Sequence, residues 1–193
     1  MNKLEILQEI INKSNNIVVF SGAGVSTESG LKDFRSSDGL YNQKMFPYSA
    51  EEILSHHFFI NNTKEFYKYY KIMFKMDNIK PNITHKYLVK LENSNKLKAI
   101  ITQNIDNLHT IAGSKNVLEL HGNINRNYCM KCNKFYDYNY VFNSKDIPKC
   151  TCKNIIKPDV VLYEEELDYD TLNNSIKYIS ECDTLLVLGT SLS

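Results

Sequence analysis

Apolar residues recur along this chain in two patterns, short continuous runs and helical stripes. The continuous runs, rich in Val, Ile and Leu, lie at 17–20, 97–102, 117–121, 157–163 and 184–190. The helical stripes lie at 3–13, 49–76, 84–91, 105–112 and 170–180. Strands with unbroken apolar runs that alternate with helices are typical of a parallel sheet covered on both faces. The pattern therefore predicts an α/β fold with a doubly wound parallel sheet.

Four of the predicted strands end in small or polar residues. The four endings are Gly22-Ala23-Gly24, Gln103-Asn104, His121-Gly122 and Gly189-Thr190-Ser191. The carboxyl ends of parallel strands meet at one edge of an open α/β sheet, and ligands of such sheets bind there. The sequence therefore predicts a polar ligand site at this edge.

The first of these endings combines glycines with small polar residues. Gly22 and Gly24 have no Cβ, so the backbone there can approach a phosphate closely. Thr27 stands where the usual dinucleotide fingerprint has its third glycine, so the fingerprint is incomplete. Taken alone, the turn fits nucleotide binding and a tight structural turn equally well.

Composition and charge narrow the classes of function. The chain has 193 residues, of which 42% are hydrophobic and 23% are charged, and its net charge is +1. This balance argues against a nucleic acid or a membrane surface as partner, and the sequence holds no apolar run long enough to span a bilayer. Charged residues interrupt the first apolar stripe, which argues against a signal peptide, so we expect a cytoplasmic protein.

Arginine is rare in this chain. Of the 23 basic residues only Arg35 and Arg126 are arginines. Arg35 directly follows Asp33-Phe34, where a planar, forked donor would suit a ligand; chance placement is the alternative.

Four of the five cysteines form two close pairs, Cys129 with Cys132 and Cys150 with Cys152, separated by 17 residues. In a chain without an export signal, this spacing predicts a tetrahedral zinc site made of four thiolates. Such a site has no open coordination position, so the zinc would be structural. Free thiols or another metal are the alternatives, and the lone Cys182 is expected to be a core residue.

Two polar groups at the strand ends are candidates for chemistry. His121 is either a general base that reaches a bound sugar hydroxyl or a structural histidine. The run from Gln103 to Asp106 offers amides and a carboxylate, which could hold a carboxamide such as nicotinamide; a helix cap at Asp106 is the alternative. No role is assigned to the remaining histidines, His56, His57, His85 and His109.

Together these motifs resemble the sirtuin family of NAD-dependent protein deacylases. They occur in the order typical of that family and extend from the first strand to the end of the chain. The motifs are Gly22-Ala23-Gly24-Val25-Ser26 with Ser29-Gly30, Asp33-Phe34-Arg35, Thr102 to His109, Leu120-His121-Gly122, the four cysteines, Lys157 to Val161, and Gly189-Thr190-Ser191-Leu192.

The resemblance implies a division of the chain into two parts and two bound groups. A Rossmann-like domain would comprise 1–30, 83–124 and 158–193, and a small domain would combine a helical insert at 31–82 with the zinc module at 125–157. NAD would be the co-substrate and one zinc ion would be structural. The residues implied for NAD are Gly22, Ala23, Gly24, Thr27, Phe34, Arg35, Gln103, Asn104, Ile105, Asp106, Gly189, Thr190 and Ser191.

The resemblance also implies the reaction. The acetyl oxygen of an acetyl-lysine protein or peptide would attack the ribose carbon as nicotinamide leaves, and His121 would act as general base toward a ribose hydroxyl. The products would be free lysine, nicotinamide and O-acetyl-ADP-ribose. The alternatives are mono-ADP-ribosyl transfer and a catalytically impaired, truncated remnant that binds NAD or peptide; a zinc-ribbon nucleic-acid module is disfavoured by the charge balance. We expect a monomer.

Three features depart from or refine the family pattern. Family members selective for acidic acyl groups resemble one another in a Tyr-x-x-Arg motif; here Tyr70 stands in the place of the arginine, which favours acetyl, although Lys71 could partly substitute. Glu164 stands where many members have glycine, which changes the peptide-binding edge. The family continues beyond the position of Ser193 into strands that hold the adenosine half of NAD, so we expect an exposed edge at the last strand here.

Overall fold

The computed structural model describes residues 2–34, 39 and 47–192. Its helices are α1 (Lys3–Lys13), α2 (Ala50–Ile53), α3 (His56–Asn61), α4 (Thr63–Met73), α5 (Ile83–Asn93), α6 (Leu108–Ala112), α7 (Tyr138–Phe142) and α8 (Tyr169–Glu181). Its strands are β1 (Ile17–Ser21), β2 (Leu97–Thr102), β3 (Val117–Glu119), β4 (Gly122–Cys129), β5 (Phe135–Tyr136), β6 (Ile156–Val160) and β7 (Thr184–Leu188). A 3-10 helix covers Ala23–Ser29.

Four strands form the predicted parallel sheet, in the order β3-β2-β1-β7. All three strand pairs are parallel, and Ser21 at the end of β1 is level with Thr102 of β2 and Leu188 of β7. The four strands are those whose polar endings were predicted to converge. The register therefore confirms that these endings share one edge of the sheet.

The central strand β1 is covered on both faces. Ile17 and Val19 pack with Ile11 of α1 and Leu88 of α5 in one apolar cluster. Val18 packs in a second cluster on the opposite face, with Leu120 and residues of α8. Burial on both faces explains why the strand is an unbroken apolar run.

A second, three-stranded sheet has the order β5-β4-β6 and is antiparallel. The strand expected at 157–163 is present as β6, but it pairs with β4 and does not join the parallel sheet. Its residues alternate between buried and half-buried, the pattern of a strand covered on one face only. Since β4 begins three residues after β3 ends, His121 lies where the chain passes from one sheet to the other.

The helical stripe at 49–76 forms three helices, of which serines cap the first two and Asn62 starts the third without a side-chain cap bond. The Ser49 hydroxyl accepts the backbone N–H of Glu52, and the Ser55 hydroxyl accepts that of Phe58. The aromatic residues of α3 and α4 pack against the second sheet, as expected for core residues; the largest are Phe59, Phe66, Tyr67 and Tyr70. In the described part of the chain, no helix has the length and apolar character needed to cross a membrane.

Candidate functional site

The turns after β1 and β7 meet at the predicted edge of the sheet. The backbone N–H of Gly22 donates to the Leu188 carbonyl and that of Gly24 to the Gly189 carbonyl, both at 2.9 Å. A Cβ on Gly22 would lie 2.7 Å from the Cβ of Thr190, and one on Gly24 would lie 2.9 Å from the Cα of Gly189. Both glycines are therefore required for the two turns to pack backbone to backbone, whatever ligand they hold.

Gly189 carries the tightest of these contacts. Its φ is +60°, and a Cβ there would lie 2.2 Å from the backbone nitrogen of Val25. Both the left-handed backbone and the lack of space call for glycine. The turn at 22–24 and the turn at 189–190 thus form one rigid unit at the carboxyl ends of β1 and β7.

A buried polar cluster connects the 3-10 helix to the segment after β2. The Ser26 hydroxyl donates to Asp106 Oδ2 at 2.6 Å and accepts from Asn104 Nδ2 at 3.2 Å. Asp106 Oδ1 accepts the backbone N–H of Leu108 at 2.9 Å, but the cap residue of α6 is Asn107, whose side chain makes no cap bond. Ser26, 1% exposed, was not among the predicted site residues.

The segment between β2 and α6 is not helical at its start. Asn107 has a φ of +64°, so α6 begins at Leu108 and not at 105 as predicted. Left-handed backbone is unusual for residues other than glycine, and asparagine tolerates it because its side chain bonds locally. The Ile105 carbonyl accepts the N–H of Ile124 in β4, which fixes this segment against the second sheet.

His121 is held from two sides at the junction of the sheets. Its Nδ1 lies 3.0 Å from the Gln103 carbonyl oxygen, and its own carbonyl accepts the N–H of Val161 at 3.0 Å. A carbonyl only accepts, so Nδ1 carries the proton and Nε2 is the basic nitrogen. Burial lowers the pKa of His121, and the bond to Gln103 partly offsets this effect. The imidazole is therefore neutral at neutral pH.

The four clustered cysteines bring their sulfurs together. The four Sγ atoms lie within 4.8 Å of one another, with Cys129 and Cys152 at 3.4 Å and Cys132 and Cys150 at 3.5 Å. Tetrahedral zinc with Zn–S bonds of about 2.3 Å requires sulfurs about 3.8 Å apart. The four thiols therefore fit one structural zinc ion, and backbone N–H groups of Lys131 and Cys152 point at two of the sulfurs.

The remaining predicted site residues make different contacts where the structure describes them. Ala23 begins the 3-10 helix, and the exposed Thr27 donates its hydroxyl to the Gly24 carbonyl within its own turn. Phe34 and Ile105 both pack against the aromatic core. Ser191 follows Thr190 and is exposed, whereas Arg35 lies outside the described residues.

Two histidines without a predicted role lie directly below this edge. His85 and His109 are 0% and 2% exposed, and their ring centroids are 4.8 Å apart. The spacing of His85 with Leu88 and Leu91 on the inward face of the predicted helix was the available signal for its burial.

The polar groups at this edge suit a dinucleotide. A carboxamide, a ribose and a phosphate together need donors and acceptors, and the edge offers amides, hydroxyls and a carboxylate on backbone turns that are fixed in place. The groups that could contact such a ligand are those of Gln103, Asn104, Asp106 and Thr190, together with the two glycine turns, and Ser26 supports Asn104 and Asp106 from below.

Comparisons with known proteins give one consistent picture. The model of the Sir2 family matches residues 22–193. An NAD-dependent protein deacetylase of Clostridium tetani is 56% identical over 195 residues, covering 100% of this chain and 79% of the relative. The deacetylase of Clostridium perfringens is 54% identical over 193 residues, covering 99% of this chain and 79% of the relative.

Solved structures agree with these relatives. A Sir2 variant with deacetylated p53 peptide and 3'-O-acetyl ADP-ribose has a TM-score of 0.90 at 38% identity, covering 99% of this chain and 78% of that one. A Sir2 complex with p53 peptide and NAD+ has a TM-score of 0.84 at 39% identity, covering 99% and 77%.

Proposed function

Since this chain belongs to the Sir2 family, we propose that it is an NAD-dependent protein-lysine deacetylase. It transfers the acetyl group of acetyl-lysine to ADP-ribose and releases nicotinamide. The observation that carries the proposal is the placement of a neutral His121 beside a polar edge that suits NAD, in a chain 54–56% identical to two clostridial deacetylases.

Different residues of this chain bind the co-substrate and transfer the proton. NAD, when bound, supplies the ribose carbon that accepts the acetyl oxygen and a nicotinamide leaving group. Asp106 and Asn104, fixed by Ser26, offer the donor and acceptor that orient a carboxamide. His121 Nε2 takes a proton from a sugar hydroxyl, because Nδ1 is committed to the Gln103 carbonyl.

The surroundings of Tyr70 support acetyl over acidic acyl groups as substrates. Tyr70 is 0% exposed within the aromatic core, and burial raises its pKa, so it stays a neutral phenol. Unlike arginine, it has no positive charge to pair with an acidic acyl group. Lys71 donates to the carbonyl and hydroxyl of Ser144, both at 2.6 Å, and to the Asp146 carbonyl at 3.1 Å. Lys71, which could in part replace the missing arginine, is thus engaged with the loop after α7.

One incubation tests the proposal. The purified chain is mixed with NAD and an acetyl-lysine peptide, and nicotinamide, free-lysine peptide and O-acetyl-ADP-ribose are measured together. We expect the three products in equal amounts, and a His121→Ala variant of the same fold gives little of any. A wild-type chain that is folded but no faster than this variant contradicts the proposal. ADP-ribose attached to protein would indicate mono-ADP-ribosyl transfer instead.

A matched pair of peptides tests the acyl preference. The same peptide is offered with acetyl-lysine or succinyl-lysine, and kcat/KM is compared. We expect at least tenfold preference for acetyl, since an unpaired buried carboxylate costs several kcal/mol. Equal turnover of both peptides contradicts the preference. A cytoplasmic location, a monomeric state and the two-domain boundaries stay predictions from the sequence.

A further inference from the structure

Two buried imidazoles connect four elements beneath the candidate NAD site. His85 lies in the first turn of α5 and His109 in α6, and their rings tilt by 56° at a centroid distance of 4.8 Å. Each ring forms a hydrogen bond through one nitrogen. The two rings bind different residues, and both of these residues contact the turn that follows β1.

His109 reaches this turn through the strand itself. Its Nε2 lies 3.0 Å from the hydroxyl of Ser21, which is 0% exposed. Ser21 is the last residue of β1 and directly precedes Gly22. The bond therefore fixes the strand end from which the glycine turn starts.

His85 reaches the other end of the turn through Asn82. Its Nδ1 lies 3.0 Å from Asn82 Oδ1. The Asn82 amide in turn donates to the Val25 carbonyl at 2.7 Å and to the Ser29 hydroxyl at 3.0 Å. Asn82 also caps α5: its Oδ1 accepts the backbone N–H of Thr84 at 2.9 Å, and its backbone nitrogen lies 3.3 Å from His85 Nδ1. His85 and this cap together orient the amide that holds the 3-10 helix over Ala23–Ser29.

The pair also carries an energetic cost. His85 Nε2 and His109 Nδ1 are buried and have no hydrogen-bond partner among the described residues. An unpaired buried polar atom destabilises the folded protein, and apolar side chains of similar size would avoid this cost. The two hydrogen bonds through the other ring nitrogens are what an apolar side chain at these positions could not form.

Charge plays no part at neutral pH. Burial and, to a smaller extent, the neighbouring His85 lower the pKa of His109 to about 3. Burial also lowers the pKa of His85, whereas the carboxylate of Asp106 opposes this shift. Both rings are neutral, so they act on the turn through hydrogen bonds and packing.

We propose that His85 and His109 are positioning residues that hold the 22–30 turn in its NAD-binding shape, through Asn82 and Ser21 respectively. The proposal rests on the proposed function, because that function makes this turn part of the NAD site. The bonds of the pair lead to the turn and not to His121, so the pair sets the affinity for NAD, and the chemical step is left unchanged.

Amide variants distinguish this role from simple core filling. A Gln amide reaches the position of a histidine Nε2, and an Asn amide reaches that of Nδ1. His109→Gln and His85→Asn should therefore keep the bonds, and His109→Asn and His85→Gln should lose them. We expect the second pair to raise KM for NAD about fivefold or more with kcat within about twofold, as for one lost hydrogen bond. The first pair should stay near the wild type, as should the exposed control His57→Gln.

Calorimetric binding of ADP-ribose gives a readout that does not depend on turnover. Variants with a higher KM for NAD should also bind ADP-ribose more weakly. Ser21→Ala should weaken binding as much as His109→Asn does, although it leaves both imidazoles in place. Equal effects of Asn and Gln at each site, or a fall in kcat with unchanged KM for NAD, would overturn the positioning role while wild-type activity still supported the proposed function. A folded wild type that neither binds ADP-ribose nor turns over would overturn both.

Discussion

The Nδ1 atom of His121 lies 3.0 Å from the carbonyl oxygen of Gln103, the first residue after β2. This contact joins the ends of two neighbouring parallel strands. It also fixes the proton on Nδ1, and Nε2 is left as the nitrogen that can accept one.

Replacement of His121 should remove the chemical step and preserve the fold. General acid–base catalysis contributes about 10²–10⁴ in rate, so His121→Ala should lower kcat by at least about a hundredfold. The thermal midpoint and the affinity for ADP-ribose should remain close to those of the wild type. A variant with kcat within tenfold of the wild type would show that another group is the base.

The pH profile of the wild type should reflect the same residue. The base works when neutral, and burial lowers the pKa of His121 from its usual range. Activity should therefore rise with pH through a midpoint below about 6.5 and be level above pH 7. A rise that continues beyond pH 7.5 at saturating substrates would contradict this assignment.

Two glycine-to-alanine variants distinguish a steric clash with the neighbouring turn from backbone strain. In Gly22→Ala, the new Cβ lies 2.7 Å from the Cβ of Thr190 and 2.8 Å from the Gly189 carbonyl oxygen, so the 189–190 turn must move. We expect a loss of stability of about 1–3 kcal/mol and loss of ADP-ribose binding. Gly22 has a φ of −124°, which alanine adopts freely, so the effect comes from contact alone.

Gly113→Ala is the matched control. Gly113 has a φ of +113°, but the nearest atom to its new Cβ is Cγ1 of Val89 at 3.7 Å. We expect a loss of about 1–2 kcal/mol from backbone strain and unchanged binding of ADP-ribose. Similar loss of binding in both variants would mean that general destabilisation, and not the contact with the 189–190 turn, explains the effect of Gly22→Ala.

The sequence predicted the parallel sheet and its polar edge because these features are local. Each buried strand is an apolar run, and the residue that ends it can be read without knowledge of its neighbours. The pairing of β6 with β4 was missed, since it depends on which strand lies alongside. Ser26 and Asp106 are 80 positions apart, so nothing in the local pattern showed that they meet.

The zinc module should hold about one zinc ion per chain and depend on it. The four Sγ atoms lie within 4.8 Å of one another at the end of β4. Without the metal, these sulfurs repel one another as thiolates or oxidise as thiols. A strong chelator or Cys132→Ser should lower the thermal midpoint and release zinc, as measured by metal analysis. Cys182→Ser is the control and should retain the zinc. Less than half a zinc per chain in freshly purified protein would contradict the site.

The buried histidines should make the protein less stable in mild acid. The pKa of His109 is about 3 in the folded protein, against an ordinary 6.5 in the unfolded chain. Between these values the unfolded state binds a proton that the folded state does not, so the free energy of unfolding falls as pH falls. The slope for one such group is about 1.4 kcal/mol per pH unit, or about 2 kcal/mol between pH 6.5 and 5.

Carboxylates act in a different range and do not obscure this effect. Hydrogen bonds from Thr171 lower the pKa of Asp168, and those from Asn15 and Asn16 lower that of Asp183, so both stabilise the fold until the pH falls below about 4. Urea unfolding between pH 5 and 7 should therefore show a steeper decline in the wild type than in His109→Gln, whereas His57→Gln should follow the wild type. Loss of zinc in acid affects all three proteins alike and cancels in the difference. Identical slopes for the wild type and His109→Gln would show that His109 does not stay neutral in the folded protein.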